Sequence, residues 1–148
     1  MFLGNPKLRG ENEKIAMSDF EISEYIKCKN DIIYFAENYY FIQTLDEGRK
    51  IIDLWDFQKK LLKAFQFPPN NKRHIILLSS RQSSKSTTAA LYFCWKMLFT
   101  KDSTYAILAN KEATAQEILS RVQMAYEEFP LWLQKGVKEW NKKSFTLE

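Results

Sequence analysis

The sequence has few of the residues that bind metals, cross-link chains or interrupt helices. Among its 148 residues are two cysteines, Cys28 and Cys94, and one histidine. Both cysteines lie in apolar helical patterns without a partner at metal-ligand spacing, which argues against a zinc site and predicts reduced core thiols in a cytosolic protein. Four glycines and four prolines allow few long loops, so regular elements, mostly helices, should be joined by short connections.

The sequence also lacks a secretion signal, a membrane-spanning stretch and a strong excess of one charge. Residues 1–11 reach Pro6 and charged side chains too early for a signal peptide, and the most apolar stretch, residues 89–99, is short and contains Lys96. A net charge of +4, from 22 basic and 18 acidic residues, does not by itself indicate nucleic-acid binding. A hydrophobic content of 45% predicts one packed, soluble domain without a membrane partner.

The first half of the chain reads as an arm followed by helices. Residues 1–17 show no lasting periodicity and are predicted to be a flexible arm with little packing. Ser18 and Glu21 match a capping box that starts a first helix, and a second helix follows and fades before Gly48. A third helix ends at the prolines after LWDFQKKLLKAFQF, so that residues 18–70 form an amino-terminal helical layer.

The second half of the chain, residues 71–148, has the pattern of a parallel α/β sheet. His74 to Leu78 and Thr104 to Ala109 are continuous apolar runs, as parallel strands buried on both faces require. The helical pattern of residues 85–99 between them predicts a right-handed strand-helix-strand unit. A further helix follows, and residues 136–148 (GVKEW, a polar turn, SFTLE) predict a carboxy-terminal β-hairpin. We expect an incomplete sheet, because a third parallel strand would normally follow.

The polar loop between the first strand and the long helix is a candidate phosphate-binding loop. It reads SSRQSSKSTT from Ser79 to Thr88, and backbone amides at such a strand-to-helix junction bind phosphate in the pattern G-x-x-x-x-G-K-[ST]. Lys85 and Ser86 hold the places of the phosphate-binding lysine and the Mg²⁺-binding hydroxyl, but Ser79 and Ser84 replace both glycines. The alternative is a serine-rich loop that only caps the next helix. The strand before it and the helix after it favour phosphate binding and predict a P-loop NTPase-like (RecA/helicase-like) fold.

Several segments, taken in order, resemble the large terminase subunits of tailed bacteriophages, in particular the T-even type. The matching segments are LGNP (3–6), IKCKNDIIYFAENYY (26–40), DFQKKLLKAF (56–65), SRQSSKSTT (80–88), ILANKEATAQEIL (107–119) and GVKEWNKKSFTLE (136–148). Members of this family are motors that drive double-stranded DNA into a procapsid, with an ATPase domain followed by a nuclease domain. The resemblance covers only the amino-terminal part of such a protein.

The resemblance implies roles for individual residues. Lys85 would bind the ATP phosphates, Ser86 would bind Mg²⁺, and Arg81 would act as a catalytic finger, although it could simply cap the helix. Gln58 would read adenine with its amide, and Phe57 would pack beside the base, although its spacing favours a core position. The nucleotide-binding residues would be Gln58, Ser80, Gln82, Ser83, Ser84, Lys85, Ser86 and Thr87. Asn110 either lies in the crevice of the sheet or caps the next helix.

The sequence departs from the family pattern in two respects. Ser84 stands where the family usually has glycine, which puts nucleotide affinity in question. The strand ending in Asp-Glu that supplies the Mg²⁺-holding acid and the catalytic glutamate would follow residue 148, as would the nuclease carboxylates. Hydrolysis would therefore need the remaining part of the large subunit, from the same gene or an interrupted one.

Three functions remain open at this stage. The first is the ATP-binding part of a packaging motor, with DNA, the portal protein, the small terminase subunit and the rest of the large subunit as partners. It would work in the host cytoplasm and, transiently, at the portal vertex of the procapsid. The second is a nucleotide-free binding module with a degenerate loop that contacts the portal protein, the small terminase subunit or DNA. The weak basic cluster of Lys135, Lys138, Lys142 and Lys143 could touch DNA phosphates, although such a charge run is usually a solvated face. The third, a helicase-like ATPase, explains the loop but not the other matching segments.

Overall fold

The computed structural model describes residues 1–44, 46–68, 74–81 and 83–148 of the chain. This part of the chain is mixed α/β, with five helices and two antiparallel hairpins. In chain order the elements are α1 (Asp19–Asn30), α2 (Ile32–Tyr39), β1 (Phe41–Thr44), β2 (Gly48–Ile51), α3 (Asp56–Gln66), α4 (Lys85–Phe99), α5 (Glu112–Glu127), β3 (Val137–Trp140) and β4 (Phe145–Leu147). No helix among the described residues is long and apolar enough to cross a lipid bilayer. The predicted boundary after Asn70 lies outside the described residues.

The start of α1 confirms the predicted capping box. The Ser18 hydroxyl accepts a hydrogen bond from the Glu21 amide at 3.3 Å, and the Glu21 carboxylate accepts one from the Ser18 amide at 2.7 Å. Asp31 then caps α2 by accepting from the Ile33 amide at 2.8 Å. Each contact satisfies an amide that the first helical turn leaves without an acceptor, so these short polar side chains define where the helices begin.

The second predicted helix is shorter than expected. It ends at Tyr39, and the residues after it form the hairpin β1–β2, in which Phe41 pairs with Ile51 and Thr44 with Gly48. Gly48 has φ +68°, a left-handed conformation that a hairpin turn often needs and that glycine adopts with little strain. The sequence does contain a hairpin signal here, which the prediction missed: β-favouring residues lie on both sides of a turn that contains glycine.

The core lies where α2, α4 and α5 meet. Phe35 is fully buried, and its ring packs edge-on against Phe99 and Phe129 at centroid distances of 6.0 and 5.3 Å. The indole of Trp95 donates a hydrogen bond of 2.8 Å to the Cys28 carbonyl, which ties α4 to α1. Cys28 and Cys94 are both buried and free, as predicted. Such aromatic pairs add specific geometry to the burial of apolar area.

Neither predicted parallel strand is a paired, buried strand in the described residues. Residues 74–80 and 104–109 belong to no strand, and Ile76, Leu78 and Leu108 are 96%, 98% and 88% exposed. The prediction of burial on two faces is therefore wrong for this part of the chain. The physical reason is that a strand is completed by a hydrogen-bonded neighbour, and no described segment pairs with either run. The helix between them, α4, forms as predicted.

The carboxy-terminal hairpin confirms the prediction from residues 136–148. Strands β3 and β4 are antiparallel, with Trp140 opposite Phe145, and these two rings pack at 4.9 Å. In the turn the Asn141 side chain accepts hydrogen bonds from the amides of Lys143 and Ser144 at 2.9 and 2.8 Å. An asparagine that binds the backbone two residues ahead is a local turn signal, which explains why the sequence predicts this hairpin correctly.

Within the predicted arm of residues 1–17, the prediction of little packing is wrong for residues 7–10, whereas residues 11–17 are exposed or half-buried. Leu8 is only 1% exposed, and the Arg9 carbonyl accepts a hydrogen bond of 2.9 Å from the Val137 amide. The buried side chain of Gln134 accepts from the Arg9 amide and donates to the Lys7 carbonyl. The arm lacks helical or strand periodicity because its partners are side chains and a strand edge far along the chain, which no local pattern reveals.

A buried carboxylate joins α1 to α2. Glu24 is 4% exposed and accepts hydrogen bonds from Lys27, Tyr34 and Tyr39, all at 2.8 Å. These bonds, that of Lys27 first, lower the pKa of Glu24 from 4.5 to about 2. A carboxylate whose charged form is favoured in the folded state stabilises that state only while it stays ionised.

Replacing Glu24 by glutamine is therefore expected to give a stability difference that depends on pH. The wild-type advantage should be complete above pH 4.5 and should disappear as the pH falls through about 2, because only then does the folded carboxyl take up its proton. Chemical unfolding of both proteins between pH 6 and pH 2 measures this difference. The exposed Glu139→Gln serves as the control. A difference for Glu24→Gln that stays constant over this range would contradict the prediction.

Candidate functional site

The loop before α4 carries the residues that the sequence singled out. Ser84 is the last residue before the helix and has φ +51° and ψ +26°, the left-handed conformation. Lys85 begins the helix in the right-handed conformation. Consecutive residues of opposite hand make successive backbone N–H groups converge, and such a nest is a common anion-binding element. Ser84 therefore adopts the conformation that glycine favours, at a cost of about 1–2 kcal/mol for a residue with a Cβ.

The ammonium group of Lys85 lies over the loop. It donates to the Ser80 carbonyl and lies 3.3 Å from the Ser83 hydroxyl. The Ser83 hydroxyl also donates to the Ser80 carbonyl at 3.0 Å. Ser80, Ser83, Ser84 and Lys85 thus converge, and a bound phosphate would compete with the Ser80 carbonyl for the lysine.

The first turn of α4 supplies two hydroxyls and the free amides of a helix start. Ser86 and Thr87 are both half-buried in this turn. The positive end of the helix dipole and the amides without helical acceptors favour an anion here. Ser86 could provide one of the six oxygen ligands that Mg²⁺ prefers, with phosphate and water oxygens as the others. No cluster of three or more acidic, histidine or cysteine side chains that could hold a metal occurs among the described residues.

Phe57 does not lie as the sequence suggested, and its neighbour Gln58 is buried. The preference for Phe57 as a core residue is wrong, because its side chain is 43% exposed and its ring packs on Trp55 at 5.5 Å. Gln58 and Leu62 face the core instead, so the buried face of α3 is rotated by one residue. Gln58 is 2% exposed and donates to the Thr88 hydroxyl of α4 at 2.9 Å. This contact brings α3 to the first turn after the loop.

The remaining predicted residues are spread around the loop and beyond it. Arg81 is exposed in the turn before Ser83, and Gln82 lies outside the described residues. Asn110 is exposed, and its alternative role as a helix cap is wrong, because Lys111 is the N-cap residue of α5. Among the candidate residues that the structure describes in this loop, Arg81 and Lys85 are the two with long cationic side chains.

Two contributions were missed by the sequence reasoning. Thr88 links Gln58 to the loop, and Arg121 of α5 lies with one guanidinium nitrogen 3.4 Å from the Thr87 hydroxyl while binding Glu117 at 2.7 Å. Both links join residues at least 30 positions apart, so no local motif could reveal them. Only the packing of α3 and α5 beside α4 brings these side chains together.

Two other features lie apart from the loop. A cavity of about 660 Å³ between α4, α5, β4 and residues 102–107 is lined by none of the predicted site residues except Lys135 and Lys143 of the basic cluster. In that cluster Lys138 and Lys143 are paired with Glu11 and Glu112, at 3.5 and 2.8 Å. Lys135 donates to the Thr100 carbonyl, and burial lowers its pKa. Three of the four lysines are thus engaged with other groups of the described chain, and each would have to exchange that contact to bind a DNA phosphate.

A search against protein-family models finds no match for this chain. The site is therefore defined by its own geometry: a serine-rich loop, a left-handed residue before a lysine, and a helix start with two hydroxyls.

Proposed function

We propose that this chain is the ATP-binding, amino-terminal part of a DNA-packaging motor of the large terminase type. The single observation that carries the proposal is the left-handed conformation of Ser84 directly before Lys85. Serine in place of glycine before the lysine made nucleotide binding by this loop doubtful. The left-handed backbone at Ser84 supports a phosphate-binding nest in spite of that replacement. The order of the matching segments along the chain supports the motor over other ATPases.

In this proposal the chain's own residues bind and orient the triphosphate. Lys85 moves from the Ser80 carbonyl to the terminal phosphates, and the amides at the start of α4 bind them from the other side. When bound, Mg²⁺ neutralises charge on the β- and γ-phosphates, and Ser86 would be its ligand on this chain. Arg81 is exposed beside the loop and would stabilise the charge that develops on the transferred phosphoryl group.

The other parts of the proposal concern its setting. A P-loop-type parallel sheet would include residues 74–78 and 104–109, which have β-favouring sequences and no partner strand among the described residues. Double-stranded DNA, the portal protein, the small terminase subunit and the rest of the large subunit would be the partners, in the host cytoplasm and at the portal vertex. DNA binding by a nucleotide-free module receives less support, because Lys138 and Lys143 are in salt bridges and the half-buried Lys135 is bound to a backbone carbonyl.

The proposal is tested by calorimetric titration of the purified chain with ATP and Mg²⁺, for wild type and Ser84→Gly. We expect both to bind. Since Ser84 is left-handed before any ligand arrives, glycine should raise the free energy of unfolding by about 1 kcal/mol, with the affinity changed less than about threefold.

Two outcomes would count against the motor. If neither protein binds ATP, the proposal fails. If only Ser84→Gly binds, the serine side chain blocks the phosphate, and the binding module becomes the better description of the natural chain.

A further inference from the structure

A continuous chain of hydrogen bonds runs from the start of α3 to the loop. The Gln58 side-chain oxygen accepts from the Trp55 amide at 3.0 Å, and its nitrogen donates to the Thr88 hydroxyl at 2.9 Å. The Thr88 hydroxyl donates in turn to the Ser84 carbonyl at 3.0 Å. Gln58 and Thr88 are 2% and 1% exposed, so the bond between them is buried, whereas the bonds to Trp55 and Ser84 at the two ends are partly buried.

The amide of Gln58 is already committed at both ends. To read adenine, a glutamine must present its oxygen and its nitrogen together to the edge of the base. Here the oxygen is bound to the amide of Trp55, and the nitrogen to Thr88. An adenine could be read only after both bonds were broken, one of them buried and the other partly buried, and a buried polar group left without its partner is costly.

The last hydrogen bond of this series orients the backbone next to the phosphate nest. The Ser84 carbonyl accepts from both the amide and the hydroxyl of Thr88, each at 3.0 Å. The carbonyl of Ser84 and the amide of Lys85 belong to one planar trans peptide, so they point in opposite directions. Holding the carbonyl toward α4 therefore directs the Lys85 amide out of the helix start, toward the loop.

We infer that Gln58 is a positioning residue for the phosphate nest and does not read the base. This inference rests on the proposed function, because it assigns Gln58 a role in binding the triphosphate at that same site. Gln58 acts through Thr88 on the peptide between Ser84 and Lys85. Its contribution to affinity is consequently independent of the base that the triphosphate carries.

The test compares Mg²⁺-ATP with inorganic tripolyphosphate, which has no base, in calorimetric titrations. Gln58→Ala and Thr88→Val should each weaken both ligands by the same factor, about fivefold to tenfold, and the double variant should be no weaker than either single one. Thr88→Ser retains the hydroxyl and should bind like wild type. Gln66→Ala, also in α3 but with its side chain bound to the exposed Asn30 carbonyl and remote from Thr88, is the matched control.

A base-reading glutamine would give a different pattern. Gln58→Ala would then weaken ATP and leave tripolyphosphate unchanged, and Thr88→Val would change neither ligand. Either result overturns the inference.

A measurement without ligand separates this inference from the proposed function. Hydrogen exchange of the Thr88 amide, which donates to the Ser84 carbonyl, should be about tenfold faster in Gln58→Ala and unchanged in Gln66→Ala. If wild type binds neither ATP nor tripolyphosphate, the proposed function fails and the role of Gln58 in phosphate binding fails with it. If wild type binds both ligands, the exchange rates test the inference separately from the proposed function. Unchanged exchange in Gln58→Ala overturns it.

Discussion

Lys85→Ala is expected to lower the affinity for Mg²⁺-ATP by about 100-fold or more. The ammonium group lies over the loop, bound to the Ser80 carbonyl and near the Ser83 hydroxyl, on the residue that begins α4. Hydrogen bonds to charged groups are worth about 1.5–3 kcal/mol each, and 1.4 kcal/mol corresponds to a factor of ten. Losing two such bonds to phosphate oxygens thus accounts for the expected effect, measured by calorimetric titration.

The control for this experiment is Lys142→Ala. Lys142 is exposed in the turn between β3 and β4, so its removal takes the same charge from the protein at a position remote in sequence from the loop. ATP affinity should fall less than about twofold in this variant, because exposed charges act weakly through water and salt. Equal losses in both variants would mean that only net charge matters and that the loop holds no specific phosphate site.

Local signals explain the parts of the fold that the sequence predicted correctly. The side chain of Ser18 binds the Glu21 amide, and the side chain of Asn141 binds the amides of Lys143 and Ser144. Each contact spans two or three positions, so the pattern that predicts it is complete within a few residues. The same reasoning succeeded for α4, whose apolar residues need only helical spacing to be recognised. Elements that organise themselves over a few residues could be predicted from the sequence alone.

Non-local pairing explains what could not be predicted. The runs at 74–78 and 104–109 have strand-like composition, but a strand depends on a neighbour whose identity no local pattern contains. The packed arm at residues 1–17 shows the opposite case, because it has no periodicity and yet is held by Gln134 and Val137. In both cases the deciding partners lie far along the chain.

The candidate site divides in the same way. The lysine, the hydroxyls and the position of Ser84 follow from the order of letters in SSRQSSKSTT, and the structure brings Ser80, Ser83 and Lys85 together. The sequence could not show that the side-chain amide of Gln58 is hydrogen-bonded to Trp55 and Thr88, because 30 positions separate Gln58 from Thr88. A residue type identifies a chemical capacity, whereas only the packing shows whether that capacity is still free.

Gln134→Ala is expected to lower the free energy of unfolding by about 3–5 kcal/mol, the largest stability effect that we predict for a polar residue of this chain. The side chain of Gln134 is 2% exposed. It accepts from the Arg9 amide at 3.1 Å and donates to the carbonyls of Lys7 and Phe129, both at 2.8 Å. Alanine would remove this partner from the buried Phe129 contact and from the partly buried Arg9 and Lys7 contacts, and each unsatisfied buried group costs about 1–3 kcal/mol.

Chemical unfolding of wild type, Gln134→Ala, Gln134→Leu and the control Gln123→Ala measures the effect. Gln123 is half-buried and donates one exposed hydrogen bond to Asn141, so its removal should cost less than about 1 kcal/mol. Leucine at position 134 restores most of the lost volume without the hydrogen bonds, so a large loss in that variant too would attribute the effect to the polar network. A loss below about 1 kcal/mol in both Gln134 variants would mean that the hydrogen bonds of Gln134 contribute little to stability.

Protease cleavage within residues 1–17 should also become faster in both variants, since Gln134 holds the backbone of Lys7 and Arg9 against the rest of the fold.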